Sequence, residues 1–367
     1  MLDGRDAPLV PVPAGDLRAT ELLTASLGIG EEIADDIALV IPTSGTTGTP
    51  KGAMLTPAAL IAGASATHDR LGGPGTWLLA LPAYHIAGVQ VLVRSLLAGT
   101  LPVEIDVSAG FDPAELPRAV SELGSGRRYT ALVSNQLAKA LTDPQATAAL
   151  AELDAVLLGG GPAPRAVLDA AAEASIAVVR TYGSSETAGG CVYDGVPLDG
   201  VEVRIDEPGP SGQGRVVIGG ATLASGYRNP PVSGPDPFDE PGWFRTDDIG
   251  YFDDTGRLAV LGRADDAIST GGLIVMPGPV ETVLCRHPAV TECAVFAAPD
   301  DRLGQRVAAA AVIDPRMSAP TLAELREFAT QSLDAAAAPR ELHIVTELPR
   351  RGIGKIDRRA LRERFAP

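Results

Sequence analysis

Thr43-Ser44-Gly45-Thr46-Thr47-Gly48-Thr49-Pro50-Lys51-Gly52 is the stretch from which the rest of the chain can be ordered. The apolar run before it, residues 37–42, reads as a strand. After it, Thr56-Pro57 reads as the N-cap and first residue of a helix reaching about Leu71. Glycines let a backbone fold around an anion with its N–H groups turned inward. Hydroxyls at Thr43, Ser44, Thr46, Thr47 and Thr49, with the ammonium of Lys51, complete a site suited to polyphosphate. The GxxxxGK[ST] spacing of a Walker A loop fails here, and fails again at Gly352-Ile353-Gly354-Lys355.

Downstream of this loop, apolar runs alternate with helical patterns. Residues 77–81, 100–105, 130–133, 155–158 and 176–180 are strand-like, and helices are predicted from Asp112-Pro113 and from Pro164. Continuous apolar strands alternating with helices predict an α/β fold whose parallel sheets are covered by helices. After Gly200 the pattern changes to short β segments at 201–205, 214–218 and 257–261, interrupted by a Pro/Gly-rich loop at 229–242. From about Asp266 a smaller α+β unit is predicted. It has helices at 279–286 and 322–333 and strands at 294–297, 307–313 and 342–345. The expected division is a large domain over residues 1–264, with a small β subdomain inside it, and a small mobile domain over 265–367.

The chain has 367 residues, 45% hydrophobic and 21% charged, which fits a two-domain globular enzyme. No basic stretch followed by an apolar core opens it, so no signal peptide is expected. The most apolar region, residues 77–103, is broken by Pro82, His85 and Arg94, and reads as strand–helix–strand rather than a membrane span. Three cysteines, Cys191, Cys285 and Cys293, without CxxC spacing argue against a disulfide framework or a zinc site and for the cytoplasm. A net charge of −16 argues against nucleic acid as a partner. Acidic and basic residues balance from Asp266 onward, and the segment from Arg350 to Arg364 is strongly basic, a cationic edge suited to polyphosphate. Of 30 basic residues only Lys51, Lys139 and Lys355 are lysine. Lysines that survive among so many arginines are expected where a compact ammonium on a flexible stem is needed.

Four further stretches follow the loop in order: Gly159-Gly160-Gly161-Pro162; Thr181-Tyr182-Gly183-Ser184-Ser185-Glu186-Thr187; Gly242-Trp243-Phe244-Arg245-Thr246-Asp247-Asp248 with Gly262-Arg263; and Leu348-Pro349-Arg350-Arg351-Gly352-Ile353-Gly354-Lys355-Ile356. Together the five resemble the motifs of the adenylate-forming superfamily: acyl-CoA synthetases, luciferases and peptide-synthetase adenylation domains. The chain departs from the pattern in two places. Ser185 stands where threonine is usual, and Asp247 stands where the TGD pattern has glycine, which predicts altered backbone geometry there.

The resemblance implies an AMP-forming acid–thiol ligase using ATP, CoA and Mg²⁺. Thr43, Ser44, Gly45, Thr46, Thr47, Gly48 and Lys51 would hold the ATP phosphates. Gly159, Gly160, Gly161, Pro162, Thr181, Tyr182 and Gly183 would flank adenine, and Asp248 and Arg263 would bind ribose. Ser185 would meet the α-phosphate, and Glu186 with Thr47 would bind the metal. Lys355 would be the catalytic cation, Asp265 the hinge, and Gly271, Gly272 and Leu273 a loop that reaches the site for the CoA step after the small domain rotates. A homodimer is also implied.

The short region before residue 43 resembles the abbreviated actinobacterial o-succinylbenzoate–CoA ligases of menaquinone synthesis. Ala131-Leu132-Val133-Ser134-Asn135-Gln136-Leu137-Ala138-Lys139 and Pro82-Ala83-Tyr84-His85-Ile86-Ala87-Gly88 carry that likeness. The acyl pocket it implies is lined by His85, Ser134, Gly183, Ser184 and Lys139, with Lys139 answering the substrate's second, aromatic carboxylate. The alternatives are a ligase for another aryl or fatty acid, a stand-alone enzyme that loads a carrier protein, and a nucleotide-binding regulator without catalysis.

Overall fold

The structure is a computed structural model that describes residues 2–3, 7–13, 15–43, 50–209, 211–230, 235–351 and 355–366. Helix α1 (Leu17–Leu27) leads to a hairpin of β1 (Leu39–Thr43) and β2 (Lys51–Leu55). The Thr/Gly-rich loop therefore joins two strands, and the expected step from strand straight into helix is corrected. The helix comes one strand later, as α2 (Pro57–Leu71), with the Thr56 hydroxyl accepting from the Ala59 N–H at 3.1 Å and Pro57 at the first helical position.

The large sheet then builds from β3 (Thr76–Leu79), α3 (Ile86–Ala98), β4 (Val103–Glu104), α4 (Leu116–Glu122), β5 (Arg128–Val133), α5 (Ser134–Ala140), α6 (Pro144–Ala151), β6 (Ala155–Gly159), α7 (Arg165–Glu173), β7 (Val178–Ser184), β8 (Gly189–Tyr193) and β9 (Val196–Pro197). Its order is β4-β3-β5-β6-β7-β8-β9; the first five strands are parallel and the last two antiparallel. Its parallel strands with helices on both faces are the α/β architecture expected from the sequence. Side chains alternate between its faces, yet both faces are apolar. Leu78, Leu132, Val156 and Leu158 pack under α4, α6 and α7, while Trp77, Tyr129, Ala131 and Leu157 pack toward α3 and β8. Helices on both sides explain why these strands read as continuous apolar runs. Each fully buried side chain of this size contributes about 1.5–3 kcal/mol.

A four-stranded antiparallel sheet follows in the order β10 (Val201–Asp206), β11 (Gly214–Gly220), β12 (Trp243–Phe252) and β13 (Leu258–Arg263). Val201, Val216 and Ile218 join its inner face to the core beside Trp77. The last body comprises β14 (Ile268–Thr270), β15 (Leu273–Val275), α8 (Pro277–Leu284), β16 (Val290–Asp300), β17 (Gly304–Ile313), α9 (Leu322–Thr330), β18 (Glu341–Val345), β19 (Arg350–Arg351), β20 (Lys355–Ile356) and α10 (Arg358–Phe365). Its apolar clusters draw only on residues from Ile268 onward. It meets the antiparallel sheet where α8 begins: a Cβ on Gly278 would come within 2.4 Å of the Leu261 carbonyl oxygen, so the two chains touch backbone to backbone.

Candidate active site

The carboxyl ends of parallel strands are where open α/β sheets bind ligands, and here β5, β6 and β7 end side by side. Beyond β5, the Ser134 hydroxyl donates to the Pro162 carbonyl at 3.4 Å. At the end of β6, a Cβ on Gly159 would lie 2.6 Å from the Thr181 hydroxyl, and Gly160 has φ +82°. The Thr181 hydroxyl in turn donates to the Leu158 carbonyl at 3.4 Å. At Gly183, φ +157°, an added Cβ would sit 2.1 Å from the Gly189 carbonyl oxygen, so only glycine lets β7 and β8 come this close. The strand-end position thus gathers Ser134, Gly159, Gly160, Gly161, Pro162, Thr181, Tyr182 and Gly183.

Past Gly183 the chain makes a single 3₁₀ turn, Ser185–Thr187. The Ser184 N–H donates to the Thr187 hydroxyl at 2.9 Å, while the Ser184 hydroxyl itself is buried without a hydrogen-bond partner. The turn buries Glu186 to 8% exposure, and its carboxylate accepts from the Tyr227 hydroxyl at 2.7 Å. The Lys51 ammonium lies 4.9 Å from the centre of the Tyr227 ring. Burial, and then the negative charge of Glu186, push the Tyr227 phenol well up, so it remains a donor. Tyr227 therefore links Lys51 to Glu186, and sequence reasoning missed it. The available signal was an aromatic directly after Gly226, just before the Pro/Gly-rich loop. Thr43 pairs with Lys51 across the hairpin; Ser44, Gly45, Thr46, Thr47 and Gly48 lie outside the described residues.

Glu186 also allows a test of whether this chain fits Mg²⁺. Among the described residues no cationic side chain makes an ion pair with it, and its one side-chain donor is a neutral phenol. A buried carboxylate in that state suits a divalent cation, which commonly takes one or two protein oxygens and completes its shell from phosphates and water. Among the described residues there is no cluster of three His, Cys, Asp or Glu, so a cage made only of protein is not formed.

Tyr182 and Asp248 come together from different sheets: the phenol donates to the carboxylate at 2.7 Å. Burial raises the Asp248 pKa; the Tyr182 hydrogen bond and the charges of Arg263 and Lys355 pull it back. Arg263 is the register partner of Asp248 on β13 and grips Asp265 through two hydrogen bonds of 2.8 and 2.9 Å. Asp247 lies where β12 shifts register against β11, between Arg245 and Ile249, so the backbone around it is irregular. It sits within β12, has no left-handed φ, and bridges Arg215 at 3.2 Å and Arg263 at 3.1 Å.

His85 caps α3, with its ring 4.6 Å from that of Tyr84. Its pKa is lowered by burial first and by the charge of Lys355 second. Lys355 opens β20 opposite Arg351, and its charge is a lesser influence on His85 and on Asp248. Lys139 is not brought to this group. The residue is exposed, and its part-buried ammonium donates to the Phe111 carbonyl at 3.5 Å. Five residues after Ser134 on a helix, it is rotated about 140° and displaced about 7.5 Å from the face that meets Pro162. Gly271 and Gly272, with φ +58° and +81°, form the two-residue turn of the β14–β15 hairpin, and Leu273 beyond them is 56% exposed. The Gly271 N–H donates to the Leu303 carbonyl, which ties the turn to its own body.

Known proteins resemble this arrangement. Residues 15–228 match the profile of the AMP-binding enzymes, and residues 279–355 that of the AMP-binding enzyme C-terminal domain. A protein of Mycobacterium tuberculosis described as a probable 2-succinylbenzoate–CoA ligase is 66% identical over 368 residues, covering 100% of this chain and 93% of its own length. The o-succinylbenzoate CoA synthetase of Bacillus subtilis, solved with the acyl-adenylate intermediate, superposes with a TM-score of 0.75 at 29% identity, covering 89% of this chain and 69% of that one. The same enzyme solved with ATP and magnesium ion gives 0.75 at 29% identity, covering 90% and 72%.

Proposed function

Because this chain belongs to the family of AMP-binding enzymes, we propose that it is an o-succinylbenzoate–CoA ligase, acting in menaquinone synthesis. The succinyl carboxylate attacks the α-phosphorus of ATP and expels pyrophosphate. The CoA thiolate then attacks the acyl carbonyl and expels AMP. Both steps need positioned reactants and stabilised charge more than covalent help from the protein.

The single observation that most supports this reading is the meeting of Tyr182 and Asp248, 2.7 Å apart, at the strand ends, where the charge of Lys355 from the last body also acts. Lys355 supplies the cation on the reacting oxygens. Asp248 and Arg263 hold ribose, and Tyr182 packs on adenine beside Gly159, Gly160, Gly161, Pro162, Thr181 and Gly183. Ser185 meets the α-phosphate, while Thr43, Ser44, Gly45, Thr46, Thr47, Gly48 and Lys51 hold the β- and γ-phosphates. Glu186 and Thr47 would hold Mg²⁺, which would neutralise polyphosphate charge. Tyr227 joins this set by fixing Glu186 and shielding Lys51. The acid lies among His85, Ser134, Gly183 and Ser184, whose buried hydroxyl has a donor to offer. Lys139 is left out of direct contact, so Lys139→Ala should leave KM for o-succinylbenzoate unchanged within about twofold, and a large rise would restore it.

The two domains divide between Ala264 and Asp265. The small one swings to withdraw Lys355 and bring the Gly271–Leu273 turn to the site. No helix among the described residues is long and apolar enough to cross a membrane; the chain works in the cytoplasm, where ATP and CoA are supplied, and pairs as a homodimer, which sedimentation equilibrium tests. The central experiment is pyrophosphate release with a panel of acids, with and without CoA; indifference to o-succinylbenzoate would refute the substrate. Lys355→Ala should slow adenylation roughly 10²–10³-fold while still converting preformed acyl-adenylate to thioester. Equal loss of both half-reactions would refute the two-position scheme.

A further inference from the structure

Asp247 stands where the resembled TGD pattern has glycine, and the structure gives it a defined task. Three adjacent strands present a ladder of alternating charge: Arg215 on β11, Asp247 on β12 and Arg263 on β13, joined at 3.2 and 3.1 Å. Residues 246–248 stand out of register with β11, and there Asp247 is exposed while Asp248 is half-buried against Tyr182. Arg215 also donates to the Thr246 carbonyl at 3.0 Å, which anchors the ladder to the strand backbone. Arg263 continues the chain by gripping Asp265 with both arms of its fork. A glycine at 247 would remove the middle rung and leave two neighbouring guanidinium groups without the carboxylate between them.

The next residue is held from the other side. Asp266 pairs with Arg358 at 3.3 Å and lies 3.9 Å from Arg362, both on α10 of the small body. Arg358 in turn donates to the buried Glu281 carboxylate at 2.6 Å and to the Val295 carbonyl at 3.0 Å. Asp265 is therefore tied to the antiparallel sheet and Asp266 to the small body, and any swing between the bodies is confined to the backbone between these tethers.

We propose that Asp247 is a positioning residue: through Arg263 it pins Asp265 to the large domain and biases the enzyme toward the arrangement seen here, in which Gly278 of the small body abuts the Leu261 carbonyl, taken as the adenylating one. The inference rests on the two-step ligase reading and adds a residue that divides the two steps. Asp247 is exposed, so the bias is that of a solvent-facing ion pair, about threefold in population, and is weakened by salt.

The test uses Asp247→Gly and Asp247→Asn in the full chain. Adenylation, read as pyrophosphate release, should fall about threefold, while thioester formation from preformed acyl-adenylate holds or rises. Added salt should shift the wild-type ratio of the two rates in the same direction and leave the variants' ratio nearly unchanged. Amide exchange over residues 264–268 should quicken about threefold in both variants. The Asn variant keeps the side-chain volume, so a Gly variant that merely misfolds does not obscure the result. An unchanged ratio with unchanged exchange overturns the proposal, and so does equal loss of both half-reactions. Wild-type protein that releases no pyrophosphate with any acid would refute the ligase reading, while the exchange data would still decide the role of Asp247.

Discussion

The charge of Lys355 acts on His85 from a distant segment of the chain. The ammonium disfavours an imidazolium there, and burial does so more strongly. Lys355→Ala should therefore raise the His85 titration midpoint part of the way toward 6.5, measured by proton NMR on a chain with only four histidines. No movement would mean that the lysine is elsewhere in solution. The sign for stability follows from the lowered folded pKa: the contribution of neutral His85 is complete above 6.5 and is lost as pH falls through the folded value. Asp248 behaves in the opposite sense. Its raised folded pKa favours the folded state at low pH, and that contribution is lost as pH rises through the folded value. Tyr182→Phe removes the hydrogen bond that offsets burial. Asp248 should then titrate higher still, and KM for ATP should rise most steeply toward acid pH. A pH profile identical to wild type would reject the coupling.

Elements differ in how far neighbours override local signals. The β7–β8 pair depends on Gly183, where the added methyl of Gly183→Ala would sit 2.1 Å from a carbonyl oxygen. That substitution should cost about 3 kcal/mol or more, read as a lowered urea midpoint; an unchanged midpoint would show that the strands can separate freely. Helix α3 carries a different oddity. Arg94 is only 3% exposed, stacks 4.9 Å from the Trp77 ring, and donates to the Tyr193 hydroxyl at 3.3 Å, with no carboxylate partner among the described residues. Its burial lowers its own pKa, and its charge adds to the burial that lowers that of His68. An unpaired buried charge is costly to hold. Arg94→Met, which keeps the volume and removes the charge, should be neutral or stabilising by about 1 kcal/mol, whereas Arg94→Ala should destabilise by about 2–4 kcal/mol through the cavity it leaves. Calorimetry that ranks the two in the reverse order would contradict this account.

At the scale of the whole molecule, the last body has a core of its own, with Val280, Leu284, Val295 and Leu325 in one cluster and Phe296, Leu348 and Leu361 in another. A fragment of residues 265–367 should therefore fold alone and unfold cooperatively by circular dichroism; a broad, non-cooperative melt would place the boundary elsewhere. Helix starts and the main strands were legible because their causes are local. Thr56-Pro57 and Asp112-Pro113 cap and open helical turns from their own side chains, and the runs at 130–133 and 155–158 are apolar on both faces. The ten-residue β12 was not read as a strand, because its mixture of charged and aromatic residues has meaning only against Arg215 and Arg263 on its neighbours. The hairpin partner β2 was hidden for the same reason: its pairing with β1 lies across the Thr/Gly-rich loop.

By itself the sequence determined the family, the order of the elements and the residue types gathered for nucleotide chemistry, since motifs, caps and apolar runs act over a few neighbouring residues. Only the tertiary structure decided that Tyr227 joins Lys51 to Glu186, that Lys139 turns away, and that Asp247 bridges two arginines. Those outcomes depend on which strand lies beside which and which face a helix presents, and short-range forces between residues far apart in the chain act only after the sheets have brought them within a few ångströms.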